Sequence, residues 1–584
     1  MSTLALRIEA ALRDAVTQAL GPEHREADLM LRPAQNPRFG DYQANLAMSL
    51  GKQLGVSPRE LALRIVQALP QEPLFKEVSV AGPGFINLSL TDQALAEEGA
   101  AMLADPELHV PKTTAPDVVV IDYSSPNVAK EMHVGHIRST VIGDAIVRVL
   151  ERVGHRVLRQ NHLGDWGTQF GMLIENLMDR RAAGDPVDLS AACDLNPVYR
   201  EAKQRFDSEP EFQERARQRV VALQSGDAET RALWRQLVDS TVAYLDVMYR
   251  RLGVKLEPGD VCGESHYNSR LQGVVERLQA EGHLQESDGA LCVFPRGYKN
   301  KEGDPLPMIV RKADGGYLYA TTDLAAVLYR SQDLGGTHLL YVVGLPQRTH
   351  LEMLFQVVRD FGWVGEGVRL QHVGFGSVLG PDRKMLKTRA GENIRLKDLL
   401  DEAEARASAI VRGKNPELSS EQVETIARAV GVGALKYADL SSDRIKDYVF
   451  DWERMLAFDG NTAPYLVNAY VRIQSIFRKA NVSPEALDGR ALLPGDPAER
   501  ALLLTLTRYG AAVQAVAESL EPHRLCGYLY DVASAFHPFY ERCPILRSDV
   551  PEQARSSRLV LCALTARVLR EGLDLLGIQV VEQM

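Results

Sequence analysis

Residues Asp117 to Trp166 read DVVVIDYSSPNVAKEMHVGHIRSTVIGDAIVRVLERVGHRVLRQNHLGDW. Val118 to Ile121 form a short β-branched run of the kind buried on both faces of a parallel sheet. From Ile137 the apolar residues recur at Val141, Ile142, Ala145, Ile146, Val149 and Leu150, which is the spacing of a helix with one buried face. A second strand is expected at Arg156 to Gln160. The unit is strand, helix, parallel strand, and His133, Gly135 and His136 fall where the helix begins. That is the carboxyl edge of the sheet, where open α/β folds bind ligands. Helix amino termini attract phosphate, Gly135 permits close backbone approach, and two histidines three apart can donate to phosphoryl oxygens. Alone, the His-x-Gly-His corner also reads as capped histidines or half a metal site. The six cysteines, Cys193, Cys262, Cys292, Cys526, Cys543 and Cys562, offer no zinc-knuckle spacing in support of metal.

A second constellation lies at VGFGSVLGPDRKMLKTRAG. Gly374, Gly376 and Gly380 loosen the chain ahead of four cations, Arg383, Lys384, Lys387 and Arg389, so this loop could close over a polyphosphate or be merely a solvated basic loop. A third group suits a cationic substrate. Asp122 ends the first strand, and Tyr319 and Asp323 stand four apart, together on one face if YATTD starts a helix. Two carboxylates and a phenol match the planar fork of a guanidinium, although Asp323 could instead cap a helix.

With 584 residues and 45% hydrophobic content, the chain can bury several cores, and three or four domains are expected. No run of eighteen apolar residues occurs, so neither a membrane span nor a signal peptide is expected. Six unclustered cysteines fit reduced thiols in a cytoplasm. The net charge of -10 looks unfavourable for RNA binding, yet distribution matters more than the total. From Asn461 onward thirteen basic residues balance thirteen acidic ones, so residues 1–460 carry the whole excess.

SSPNVAKEMHVGH resembles the signature of class I aminoacyl-tRNA synthetases in the form carried by arginyl-tRNA synthetases. NHLGDWGTQFG, FGDYQAN, AGPGFINL, YLYATTDLA, KMLKTRAG, GNTAPYL and LGIQVVEQM follow the same family's order along the chain. The resemblance implies ATP-dependent attachment of L-arginine to tRNA(Arg) through an arginyl-adenylate. The nearest alternative is another class I synthetase. A cysteine-specific one would need zinc-binding thiolates, and a small nucleotidylyltransferase would not need the extra helical domain. His133, His136, Lys384 and Lys387 would act catalytically on ATP, with Gly135 and Gly374 also at the nucleotide. The basic loop is similar to the KMSKS loop, with Leu386 in place of the usual central serine. Magnesium would accompany ATP, and no dedicated protein metal cage or tightly bound cofactor is expected. Asp122, Tyr319 and Asp323 would hold the guanidinium, and Ser125, Asn127 and Gln347 the α-amino or carboxylate end. The resemblance also implies that tRNA must be bound for the first step.

The expected architecture is α/β, with a Rossmann-like parallel-sheet catalytic domain, an N-terminal α+β domain and a C-terminal all-α bundle. The divisions fall at 1–112, 113–400, 401–460 and 461–584, the third being a helical linker region. A charged helical insertion is expected over about 172–282, with the sheet resuming at Ala290 to Phe294, Met308 to Lys312 and His338 to Val343. In the N-terminal unit, Gly82, Pro83 and Gly84 make a tight turn before Phe85 and Asn87, which share one strand face. The resemblance places those two on a base of the tRNA D-loop. In the bundle, Tyr465, Tyr470, Arg472, Tyr528 and Tyr540 could stack on or clamp anticodon bases, while Phe536 and Phe539 are expected in the core. The chain is expected to be a monomer.

Overall fold

The computed structural model describes every residue except 1–2, 71–72, 186, 190–194, 314 and 388–392. Arg389 and Cys193 therefore lie outside the described residues. The amino-terminal unit opens with helix Leu4–Leu20, capped by Thr3, whose hydroxyl accepts from the Leu6 amide. Leu4, Ile8, Leu12, Ala15 and Val16 bury its inner face, the helix packing on helices Pro58–Gln67 and Asp92–Ala104 beside an antiparallel sheet. That sheet comprises β1 (Leu31–Pro33), β2 (Tyr42–Ala44), β3 (Phe75–Ala81) and β4 (Phe85–Leu90), in the order β1-β2-β4-β3.

The central sheet is parallel: β5 (Val118–Asp122), β6 (Arg156–Gln160), β10 (His338–Tyr341) and β11 (Arg369–His372), in the order β11-β10-β5-β6. Helix Val134–Arg152 crosses from β5 to β6, as the apolar spacing predicts, and most of its residues are buried. Between β6 and β10 run helices Thr168–Ala182, Asn196–Ser208, Pro210–Ser225, Ala228–Leu252 and Asn268–Ala280. The expectation that the sheet resumes at Ala290 and Met308 is corrected. β7 (Gln285–Ser287), β8 (Ala290–Val293) and β9 (Met308–Arg311) form a separate antiparallel sheet. Alternate residues of β9 are exposed, so the strand covers a core on one face only and lacks the two-sided burial of a central parallel strand.

Past Leu396 the described chain is helical apart from short elements. One of these, β13 (Tyr448–Val449), pairs in parallel with β12 (Val378–Leu379) at the root of the basic loop. Helices Ala463–Ala480, Pro497–Leu506, Tyr509–Ser519, His523–Arg542 and Glu552–Leu575 form a bundle with Phe536 and Phe539 wholly buried. This bundle touches both other regions. The Arg500 guanidinium donates to both carboxylate oxygens of Asp41, at 2.9 and 2.8 Å, and to the Leu90 carbonyl. Lys436, fully buried, donates to the carbonyls of Leu252 at 2.7 Å and Gly577 at 2.6 Å, beside Asp144 and Arg148 of the crossover helix. Burial pushes the Lys436 pKa down to about 8.

Candidate active site

The loop leaving β5 is strained and tightly held. Ser124, Ser125 and Ala129 adopt φ of 72°, 46° and 61°, a region that non-glycine residues enter only when the surroundings impose it. The Ser124 amide donates to Ser139 Oγ at 2.9 Å, and the Ser125 amide donates to Asn161 Oδ1 at 3.0 Å. The buried Tyr249 hydroxyl lies 2.8 Å from Ser124 Oγ and accepts from Asn161 Nδ2 at 2.9 Å. Asn127 projects at the surface beside Gly164, where an added Cβ would lie 2.2 Å from Asn127 Oδ1.

At the start of helix Val134–Arg152 the two histidines cap the helix and present donors together. His133 Nδ1 accepts from the Gly135 amide at 3.0 Å, and His136 Nδ1 accepts from the His133 amide at 3.0 Å. The neutral rings therefore carry their protons on Nε2. Burial lowers both pKa values, that of His136 to about 3, with His133 and Lys130 adding smaller repulsions. A Cβ on Gly135 would lie 2.8 Å from His133 Cε1, so the glycine is what lets that ring fold back.

Lys384 and Lys387 are exposed on a hairpin in which Gly380 donates to the Lys384 carbonyl and Leu386 to the Val378 carbonyl. Leu386 packs against the main core, anchoring the hairpin where the related pattern has serine. Beyond the loop, Val134 donates to the Ile394 carbonyl at 2.9 Å and Leu396 to the Met132 carbonyl at 2.8 Å. The two phosphate-type elements are thus joined backbone to backbone. Gly374 follows β11, with His372 and Leu345 packed where a Cβ would project.

Tyr319 and Asp323 do lie one turn apart, on helix Tyr319–Leu328. Asp323 is not its cap; its Oδ2 is 2.6 Å from His350 Nε2. Gln347 is exposed after β10, immediately before helix Arg348–Asp360. Asp122 is already engaged: Oδ2 accepts from Arg330 at 2.7 Å and Oδ1 from Ser125 Oγ at 2.7 Å. Arg330, 1% exposed, also donates to Gln160 Oε1 at 2.6 Å and sits in a π-helical turn, Tyr329–Asp333. Its charge, with a hydrogen bond from Ser125, holds the Asp122 pKa below the ordinary carboxylate value despite burial.

Glu264 was not singled out by sequence. Burial, reinforced by the charges of Asp165 and Asp323, pushes its pKa up to about 7. His162 is in the same neighbourhood, with a buried Nδ1 that has no hydrogen-bond partner. The only local hint was CGESHY, an acid between small residues, which no periodicity distinguishes. No group of three or more His, Cys, Asp or Glu that could hold a metal occurs among the described residues.

Residues 99–452 match the family described as tRNA synthetases class I (R), catalytic domain. Residues 4–90 match the arginyl tRNA synthetase N terminal domain, and 466–584 the DALR anticodon binding domain. The chain belongs to the arginyl-tRNA synthetases. It is 50% identical over 577 residues, 99% of each chain, to an arginine–tRNA ligase of Stutzerimonas stutzeri. A second such ligase, from Thermobifida fusca, is 49% identical and covers 100% of this chain and 99% of its own. Among solved structures, Plasmodium falciparum arginyl-tRNA synthetase superposes with a TM-score of 0.83 at 29% identity, covering 100% of both chains. The Thermus thermophilus arginyl-tRNA synthetase gives 0.82 at 26% identity, covering 99% of both.

In this arginyl-tRNA synthetase the residues expected from the sequence to meet RNA differ in surroundings. Asn87, 6% exposed on the interior strand β4, accepts at Oδ1 from Gln43 Nε2 at 2.9 Å. Phe85 is half-buried beside the turn. Tyr465 packs with Tyr530 and His537, and Arg472 lies over the exposed Tyr540 ring. Tyr470 is buried, its hydroxyl donating to Glu582, and Tyr528 donates to the Leu506 carbonyl, so both serve the bundle's own packing.

Proposed function

We propose that the chain attaches L-arginine to tRNA(Arg) at the expense of ATP, through an arginyl-adenylate. An arginine carboxylate oxygen attacks the α-phosphorus, the bond to the β-phosphate bridge breaks, and diphosphate leaves. A ribose hydroxyl of the tRNA's terminal adenosine then attacks the acyl carbon, and AMP leaves. No enzyme nucleophile is required. Positioning and charge stabilisation suffice.

The observation that carries this reading is the backbone pairing of the His133–His136 corner with the base of the Lys384–Lys387 hairpin, through Met132–Val134 and Ile394–Leu396. Nε2–H groups of His133 and His136 donate to phosphoryl oxygens, and Lys384, Lys387 and the backbone at Gly135 and Gly374 complete the nucleotide site, with magnesium arriving on ATP. Asp323, Glu264 and the Tyr319 hydroxyl receive the guanidinium. Asp122, neutralised by Arg330, orients the Ser125 hydroxyl, so Ser125, Asn127 and Gln347 address the α-amino and carboxylate end. Phe85 and Asn87 meet the tRNA core, and Tyr465 and Arg472 the anticodon loop. The protein works as a cytoplasmic monomer. No helix among the described residues is long and apolar enough to cross a membrane.

The test is aminoacylation of unfractionated tRNA with each amino acid in turn. Incorporation of arginine alone is expected. Charging with lysine at a comparable rate would sink the guanidinium assignment.

A further inference from the structure

Segment 441–450, SSDRIKDYVF, has no role in the reading above, yet it is bound to three separate parts of the molecule. Toward the basic loop it makes a continuous set of contacts. Gly376 donates to the Arg444 carbonyl at 2.9 Å, the Ser377 amide to Asp447 Oδ1 at 2.5 Å, Tyr448 to the Ser377 carbonyl at 3.2 Å, and Phe450 to the Leu379 carbonyl at 2.8 Å. A Cβ on Gly376 would lie 2.8 Å from the Lys446 carbonyl carbon, so only glycine permits this closeness. Toward the histidine helix, buried Arg138 donates to the Lys446 carbonyl at 3.0 Å and pairs with Asp439.

Toward the bundle the Arg444 side chain spans the gap. The Arg444 guanidinium donates through one terminal nitrogen to the Gly374 carbonyl at 2.7 Å and through Nε to the Leu520 carbonyl at 3.1 Å. Gly374 roots the phosphate loop. Leu520, at φ 55°, terminates helix Tyr509–Ser519 of the bundle. The two carbonyls are met by two different nitrogens of one rigid plane, Nε and a terminal nitrogen, whereas a lysine at this position would carry all its donors on one nitrogen at the end of the stem.

We propose that Arg444 is a positioning residue coupling the C-terminal bundle to the phosphate loop, so that RNA engaged by the bundle sets the loop's placement over ATP through the Leu520–Arg444–Gly374 bridge. The proposal rests on the function argued above. Arg444 directs its donors to two backbone carbonyls and acts through Gly374 and the glycines that follow.

The experiment compares kcat and KM for charging with tRNA(Arg) and with the same RNA altered in its anticodon loop, in the full-length parent, Arg444→Gln and Arg444→Lys. In the parent, the alteration should raise KM for tRNA and lower kcat, the latter by about tenfold, within the 5–150-fold range of ordinary coupling. In both variants kcat with the unaltered RNA should already be low, and the alteration should change it by less than about twofold while the KM effect persists. Lys keeps the charge but places no donor where Arg444 Nε stands, so it should fail to rescue; if Arg444→Gln does not fold, Arg444→Lys alone carries the comparison. A parent kcat indifferent to the anticodon, or variants that keep the parent's kcat ratio, would overturn the proposal. Failure of the parent to charge arginine at all would instead overturn the function on which it rests.

Discussion

His136 shows how one side chain can be both a cap and a chemical donor. Its Nδ1 is occupied by the His133 amide, so substitution by Ala removes an Nε2–H aimed outward along with half of the cap. His136→Ala should lower kcat for adenylate formation by about 10² to 10³, the usual loss for one transition-state donor, with little change in KM for arginine. The pH dependence of stability has a definite sign. The folded pKa of about 3 lies below the ordinary 6.5, so the unfolded chain takes up the proton first as pH falls. The contribution of His136 to stability is complete above about 6.5 and is lost progressively toward 3, and His136→Gln should flatten that slope in denaturation measured across the window. Glu264 has the opposite displacement. With its pKa raised to about 7, it is largely protonated below neutrality and ionises above, so arginine should bind more tightly as pH rises through about 7. Glu264→Gln should abolish that rise in titrations of arginine affinity; an unchanged profile would remove Glu264 from the pocket.

The π-helical turn Tyr329–Asp333 matters because it delivers Arg330 to Asp122 and Gln160 in a buried setting. Removing one partner of such a pair leaves a charge without compensation, so Arg330→Met should cost about 3–5 kcal/mol in denaturant unfolding, whereas the double variant with Asp122→Asn should recover a good part of that loss. Additive losses would show that the pair is not coupled. This element also marks where sequence reading stops. Helix Val134–Arg152 was legible because its apolar spacing is local, and the histidine corner because cap, glycine and helix lie within a few residues. Tyr319 and Asp323 were legible for the same reason. Arg330 lies 208 residues from Asp122, and Tyr249 lies 125 from Ser124, so no window of sequence contains either partnership. β8 and β9 were read as central strands because short apolar runs look alike whether they enter a parallel sheet or a small antiparallel one.

Arginines reach across the boundaries between regions, alongside a hydrophobic core that all of them share. Arg500, from the bundle, meets Asp41 in the N-terminal unit, and Arg152, at the end of the crossover helix, bridges Glu107 and Glu571. Arg500→Ala should free the N-terminal unit at a cost of about 1–3 kcal/mol, since Asp41 keeps its bond from the Leu90 amide. The expected outcome is faster hydrogen exchange in β2 and β4 and a raised KM for tRNA, with arginine affinity unchanged. Equal exchange in variant and parent would show that hydrophobic packing alone docks the unit. Buried Lys436 has a further consequence, one that concerns the order of events on the ribosome. Its ammonium is satisfied only when the carbonyl of Gly577 arrives to join that of Leu252, next to Asp144 and Arg148 of the helix that carries the histidines. That helix emerges early in synthesis, whereas the helices packed on it, Leu396–Lys414, Ser420–Leu440, Tyr509–Ser519 and Glu552–Leu575, and the Gly577 carbonyl come later, some of them last. The catalytic centre therefore cannot mature domain by domain as the chain lengthens, and nascent chains stalled short of that glycine should be open to proteases at the crossover helix.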